Sequence, residues 1–323
     1  MHGPPPQLFT DPDEPGGHPD AADEELDRVA HELLRLDPEG MRVANVIRET
    51  FDQLLDGQRT GRWDYRDLRK TEKTHMGTLV EINLHREFDF DDGRAMDYRI
   101  AGVEVDCKFS QSPRGWQIPL EATGHLCLLL WANDELGLCS GGVIRIADAL
   151  LRPGGNRDQK RTLNDSGVRQ VRRLWHERPL PENLLLHLDP RTRNEILSTT
   201  GKRGGQQRTD ELFRRVQGQL VSRSTVLTVA QQDDPPKRVR DARLRLRAEG
   251  IVVLGHQGDH PRIALSLGLP VPSKGQWVSA RITPREPGRD VPYVSIRGTE
   301  YRIALAEDLA EPAPLLDSQH QEL

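Results

Sequence analysis

The sequence predicts two mixed α/β domains joined by a short linker, and three patterns support this fold class. Residues 98–110 alternate between polar and apolar side chains, as a half-buried strand does. Residues 70–88 carry an apolar stripe at helical spacing. Residues 222–250 begin with a helix and an Asp-Pro break, and continue as a basic helix before an apolar strand. A chain of 323 residues is long enough for two such domains.

The order of these patterns gives the predicted boundaries. We expect helix at 24–58, a buried strand at 124–131, and charge-rich helical sequence up to Trp175. The predicted organisation is a disordered acidic tail at 1–23, a first domain at 24–175, a linker with two prolines at 176–182, a second domain at 183–312, and a C-terminal tail at 313–323.

The strand at 98–110 carries the side chains that are most informative about chemistry. Successive side chains of a strand point to opposite faces. Glu104, Asp106 and Lys108 therefore share one face, while the face that we expect to pack in the core has Val103, Val105, Cys107 and Phe109. Asp97 lies nine residues before Asp106, and Gly102 marks a bend between them. The charged face is expected to line a cleft.

The helix at 70–88 adds a third carboxylate. Its polar stripe includes Glu81, which faces away from most of the apolar stripe and is placed to meet the carboxylates of the strand. Three carboxylates with a lysine suit a Mg²⁺-dependent phosphodiesterase, because carboxylate oxygens bind hard cations and the ammonium offsets developing charge. An Asp-x-Lys strand is also common as a solvated ion pair. The residues alone leave both interpretations open.

The second domain has a basic helix with a defined start. Asp234 is a predicted N-cap with Pro at the first turn. The basic candidates for entering a DNA major groove are Lys237, Arg238, Arg240 and Arg243. The net charge is −5, yet residues 202–247 hold twelve Lys or Arg against five Asp or Glu. Such clustering is typical of phosphate contact, although a solvated amphipathic helix is the alternative.

Several classes of protein are disfavoured by the sequence. Three separated cysteines indicate neither a disulfide framework nor a zinc ribbon. Without a long apolar run or a charged-then-apolar leader, we expect no membrane span and a cytoplasmic location. Residues 54–59 resemble a ligase motif, but Leu54 replaces the nucleophilic lysine, so we expect no nucleotide cofactor. Arg59, at the end of this motif, and Arg62, three residues later, are candidate DNA contacts.

Longer blocks of the chain resemble the NaeI family of type II restriction endonucleases. The matching blocks are residues 54–63, 70–88, 105–110, 182–187, 211–216, 228–234 and 268–272. They occur in both halves of the chain, so the resemblance covers nearly all of it apart from the two tails. It implies a PD-(D/E)xK nuclease domain with a central mixed sheet. It also implies a winged helix-turn-helix domain like that of the catabolite activator protein.

The resemblance also implies a chemistry and a site. Glu81, Asp97, Asp106 and Lys108 take the four active-site positions of the family, with the three carboxylates as Mg²⁺ ligands. The implied activity is cleavage of duplex DNA at GCCGGC, between the central C and G, by a prokaryotic homodimer that a second copy of the site activates (type IIE). The alternatives are a DNA-binding regulator without catalysis and a nicking or repair nuclease.

Overall fold

A computed structural model describes Leu8 and residues 23–199, 204–286, 288 and 290–316. The chain divides into two compact units. The first contains Met1–Leu54 and Asp64–Asn183, and the second contains Leu55–Trp63 and Leu184–Leu323. Within the described residues, no helix is both long and apolar enough to cross a membrane.

Helices and strands both occur in each unit, which confirms the mixed α/β fold class. The helices are α1 Glu24–Leu36, α2 Met41–Leu55, α3 Gly57–Thr60, α4 Lys70–Phe88, α5 Asp165–Gln170, α6 Leu184–His187, α7 Pro190–Leu197, α8 Gly204–Arg215, α9 Arg223–Ala230, α10 Pro235–Leu246 and α11 His260–Ser266. The strands are β1 Asp91–Asp92, β2 Tyr98–Ile100, β3 Val103–Ser110, β4 Leu126–Asn133, β5 Leu138–Arg145, β6 Arg172–Pro179, β7 Leu220–Ser222, β8 Ile251–Leu254, β9 Gln276–Pro284, β10 Tyr293–Ile296 and β11 Thr299–Ile303.

The described part of the first unit is built on a sheet of six strands in the order β1-β2-β3-β4-β5-β6. Strands β3 and β4 run parallel, and the other neighbours are antiparallel. Apolar side chains fill both sides of the central strands. One core holds Val105 and Cys107 of β3 with side chains of α1, α2 and α4. The other holds Cys127 and Leu129 of β4 with side chains from the segments after β3 and β5.

Two expectations for the end of the first unit are wrong. The sequence before Trp175 contains α5 but is otherwise irregular, and β6 covers Arg172–Pro179. Residues 176–179 of the predicted linker therefore belong to the sheet, and the unit continues to Asn183. Strand β6 lies at the edge of the sheet. An edge strand tolerates both the charges and the proline at its last residue, because one side needs no partner strand.

In the described second unit, α8 is followed along the chain by β7, α9, α10, β8, α11 and β9. Strand β9 is central, because β8 pairs with it along one side while β7 and β11 pair with it along the other. Ser222 caps α9 and Asp234 caps α10, with the Lys237 N–H donating to Asp234 Oδ1 at 3.0 Å. The predicted cap, proline start and basic helix are confirmed.

Between β8 and β9, residues 255–275 contain α11. Two further expectations need correction. The predicted start of a C-terminal tail at 313 is wrong, because Ala313 is buried. Residues 55–63 leave the first unit because Gly57 and Gly61 allow close approach to α9. A Cβ on Gly57 would lie 2.0 Å from Thr228 Oγ1. The predicted disordered tail at 1–23 lies almost entirely outside the described residues.

Candidate active site

A tight hairpin brings Asp97 beside the strand that carries Asp106. Ala101 and Gly102 have φ values of 49° and 82°, the left-handed pair that a two-residue hairpin loop requires. Tyr98 then pairs with Val105 in the antiparallel register. The N–H of Cys107 donates to Asp97 Oδ2 at 2.7 Å. A backbone hydrogen bond therefore holds the first predicted carboxylate against β3.

The Lys108 ammonium contacts both strand-associated carboxylates. Its Nζ lies 2.6 Å from Asp106 Oδ1 and 3.6 Å from Asp97 Oδ2, and it also donates to the Cys107 carbonyl at 2.8 Å. Asp106 is 5% exposed, and its other oxygen accepts from the buried Cys127 thiol at 3.3 Å. The alternation that put Asp106 and Lys108 on one face of β3 is confirmed, and the cysteines at 107, 127 and 139 are all buried.

The cluster perturbs the protonation of its members. Burial raises the pKa of the Asp106 carboxyl, so its ionised form depends on the nearby ammonium. Burial lowers the pKa of the Lys108 ammonium, whereas the negative charges of Asp106 and then of Asp97 raise it. The upward effect is the larger, so the net pKa shift is upward. Burial also raises the pKa of the Cys127 thiol well above its usual range. Lys108 therefore stays cationic, and Cys127 remains a hydrogen-bond donor.

Helix α4 adds Glu81 to the same cluster. Its buried stripe is Met76, Val80, Leu84 and Phe88, which packs into the first core and leaves Glu81 half-buried. The Tyr98 hydroxyl donates to the Glu81 carbonyl at 2.8 Å, which ties this turn of α4 to β2. Burial raises the pKa of the Glu81 carboxyl, and the charge of Asp97 raises it further. The structure thus brings the four predicted residues together.

The cluster is polar and oxygen-rich, but its side chains are not arranged as ligands around one point. Among the described residues, no group of three His, Cys, Asp or Glu side chains is positioned to hold a metal ion. The donor type nevertheless fits a hard divalent cation, because Glu81, Asp97 and Asp106 offer only carboxylate oxygens. Burial, and after it the charge of Asp97, raises the pKa of both Glu81 and Asp106, and an added cation would relieve this effect.

Glu104 has a role that the sequence did not predict. Its carboxylate accepts hydrogen bonds of 2.9–3.0 Å from three successive N–H groups, those of Arg94, Ala95 and Met96. These bonds lower the pKa of Glu104 to about 2. Residues 94–96 lead directly into Asp97, so Glu104 positions the loop that presents this carboxylate. In the sequence, the feature that could have pointed to this role is the position of Glu104 on the same face of β3 as Asp106 and Lys108.

The predicted DNA-binding side chains all lie in the second unit, but they differ in exposure. Lys237 and Arg240 are exposed on α10, while Arg238 exchanges hydrogen bonds with Gln206. Arg243 is drawn inward, where its Nε donates to the Val253 carbonyl at 2.8 Å. Burial and then the charge of Arg240 lower the pKa of Arg243 to about 10. This contact gives Arg243 a packing role.

Arg59 and Arg62 lie within residues 55–63, the segment that packs on α9. The Arg59 side chain is 84% exposed and lies 3.5 Å from Asp56. Arg62 is half-buried, and its N–H donates to Thr60 Oγ1 at 3.1 Å. Neither residue belongs to the unit that contains Asp106.

Comparison with known proteins agrees with the chemistry of this cluster. The family model described as restriction endonuclease NaeI matches residues 27–312. The chain belongs to this family. A relative from Lentzea aerocolonigenes, the type II restriction enzyme NaeI, is 50% identical over 307 residues, which cover 93% of this chain and 96% of the relative. The resemblance that the sequence blocks indicated is confirmed, and with it the assignment as a type II restriction endonuclease.

Removal of the Glu104 carboxylate should impair cleavage without loss of the fold. In Glu104→Ala the loop at 94–96 loses its shared acceptor, so Asp97 is less well held beside Lys108. We expect kcat for DNA cleavage to fall by roughly 10- to 100-fold, as for other residues that orient a site, with little change in KM. The exposed Glu121→Ala is the matched control. A wild-type kcat in Glu104→Ala would contradict the positioning role.

Proposed function

We propose that this chain hydrolyses both strands of duplex DNA at GCCGGC, leaving blunt ends, as a Mg²⁺-dependent homodimer in the prokaryotic cytoplasm. The observation that carries the proposal is the contact of Lys108 Nζ with both Asp106 and Asp97, at 2.6 and 3.6 Å, beside Glu81. The family match supports the DNA substrate. The recognition sequence and cut position rest on the resemblance of the sequence blocks to the family.

The proposed reaction assigns each side chain a task. Water attacks the phosphorus, the bond from phosphorus to the 3′ oxygen breaks, and the departing oxygen takes up a proton. This leaves 5′-phosphate and 3′-hydroxyl ends. Lys108 Nζ donates to the attacking water and to the phosphate oxygens, where it offsets the developing negative charge. Asp97 and Asp106 would hold Mg²⁺, with Glu81 completing or supporting the site, and the cation would add positive charge against the phosphate.

We further propose that the second unit is a winged helix-turn-helix that holds another copy of the DNA site. The helix pair α9 and α10, followed by the antiparallel strands β8 and β9, supports this architecture. Lys237 and Arg240 are the basic side chains exposed near the start of α10, so they are the proposed groove contacts. Arg238 and Arg243 are held by Gln206 and by the Val253 carbonyl, so we assign them to positioning α10.

The proposed activation by this second DNA copy has a physical route in the chain. Gln58 Nε2 donates to Asp233 Oδ1 at 2.6 Å, in the turn between α9 and α10. Gly61 lies so close to Gln231 of the same turn that an added Cβ would be 2.0 Å from its Nε2. The chain enters this unit at Leu55 directly from α2, and it returns to the first unit at Asp64, shortly before α4. DNA that orders the turn would therefore bias both flanking helices.

Loss of the Lys108 ammonium should abolish most cleavage while leaving DNA binding. In Lys108→Ala we expect the cleavage rate to fall by about 10²–10³, the usual cost of one partner of a charged transition state. Phosphate contacts elsewhere should preserve affinity. The measurement is a Mg²⁺ digest of plasmids with zero, one or two GCCGGC sites, with a gel-shift assay for binding.

The exposed Lys70→Ala is the control for loss of a lysine in the first unit. Cutting by Lys108→Ala within about tenfold of the wild-type rate would remove Lys108 from the mechanism. Binding without cutting by the wild-type protein would favour a regulator. Single-strand breaks alone would favour a nicking or repair nuclease.

A short GCCGGC duplex added in trans should accelerate cleavage of a single-site plasmid. Substitution of both Lys237 and Arg240 by Ala should reduce this stimulation more than it reduces basal cutting, because the activating copy would lose its contacts on α10. Arg191→Ala, which removes an exposed charge on α7, is the control. Equal stimulation of all three proteins would exclude α10 as the activating surface.

A further inference from the structure

A basic arm follows β5 and is anchored on the sheet face that carries Asp106. We define the basic arm as residues 152–162. Its ends are fixed by Leu151 and Leu163, which are both buried and form an isolated antiparallel bridge. These two leucines share a core with Cys127 of β4, the thiol that contacts Asp106. The base of the arm and the Asp106 carboxylate therefore lie on the same side of the sheet.

The arm also contacts the segment that follows β3, the strand that carries Asp106 and Lys108. Ile118 and Arg161 exchange two backbone hydrogen bonds of 2.8 and 2.9 Å. Asn156 Nδ2 donates to Gln117 Oε1 at 3.2 Å. The carbonyl oxygen of the Asn156 side chain accepts from the N–H groups of Asp158 and Lys160, so it folds the tip into a compact turn. The arm thus has a defined shape beside the chain that leaves β3.

The charge of the arm is strongly positive and largely unbalanced. It holds four basic residues and one acidic residue. Arg161 pairs with Asp148 outside the arm. Across the described ranges, no carboxylate lies within ion-pair distance of Arg152, Arg157 or Lys160, although carboxylates pair with basic residues elsewhere in the first unit, such as Arg35 and Arg145. Residues 152–159 are all exposed.

We propose that the basic arm binds backbone phosphates of the substrate duplex next to the scissile bond. This rests on the proposed function, because the ligand is the DNA that lies across the Asp106 cluster. Unpaired Arg and Lys side chains on an exposed arm gain affinity by displacing condensed counterions from phosphates. The arm belongs to the first unit, which contains Asp106, whereas α10 belongs to the second unit. The arm therefore orients the substrate copy of the DNA.

The charge contribution is tested by a double substitution of the two arginines in the exposed stretch 152–159. Arg152→Ala with Arg157→Ala should weaken binding of a GCCGGC duplex roughly tenfold at physiological salt and lower the slope of log K against log salt by about 2. The matched control combines Arg28→Ala and Arg35→Ala on α1, which packs on the other side of the sheet. If wild type cuts the plasmid but the arm variant keeps its affinity and slope, the arm proposal fails while the cleavage assignment stands. If wild type does not cut, the proposed function itself fails.

The location is tested by tethered cleavage. The cysteines of the chain, at 107, 127 and 139, are buried. The substitution Asp158→Cys, in the Lys108→Ala background, therefore provides one accessible thiol for iron-EDTA. We expect radical strand breaks within a few nucleotides of the GCC/GGC junction from Asp158→Cys, and none from Arg28→Cys. Breaks confined to DNA held by the second unit, or none at all, would overturn the proposal.

Discussion

Asp106 is a carboxylate almost removed from solvent, and the Lys108 ammonium 2.6 Å away balances its charge. A buried charge without a partner destabilises a fold, so the elements around Asp106 and Lys108 must keep these two charges together. The hairpin at Ala101–Gly102 brings Asp97 to the same ammonium, and the Cys107 N–H holds it there. The same proximity that makes the cluster costly to bury makes it suited to stabilise charge on a phosphorus centre.

Much of this site follows from short-range sequence pattern. The period of two along β3 predicts that Asp106 and Lys108 share a face, and the helical period of α4 predicts a buried stripe that leaves Glu81 at its margin. The role of Glu104 could not be predicted in this way. Its partners are backbone N–H groups of residues 94–96, which leave no mark in the side-chain pattern. Period-based reasoning also missed β6, because an edge strand with many charges lacks an apolar run.

The membership of residues 55–63 shows a second limit. Their pattern continues from α2, so the sequence places them in the first domain. The deciding contacts join Gly57 to Thr228 and Gln58 to Asp233, far along the chain. A glycine indicates that close approach is allowed but does not identify the partner. The same long-range packing explains Arg243, whose side chain reaches Val253 on β8 and so supports the basic helix from within.

The most direct test of this account is a double-mutant cycle on the pair at its centre. Unfolding free energies would be measured for wild type, Asp106→Asn, Lys108→Met and the double variant. If Lys108 balances a buried charge, Lys108→Met should be the less stable single variant. The double variant should regain stability, with a coupling of about 0.5–3 kcal/mol. Additive effects, with no recovery in the double variant, would contradict the account.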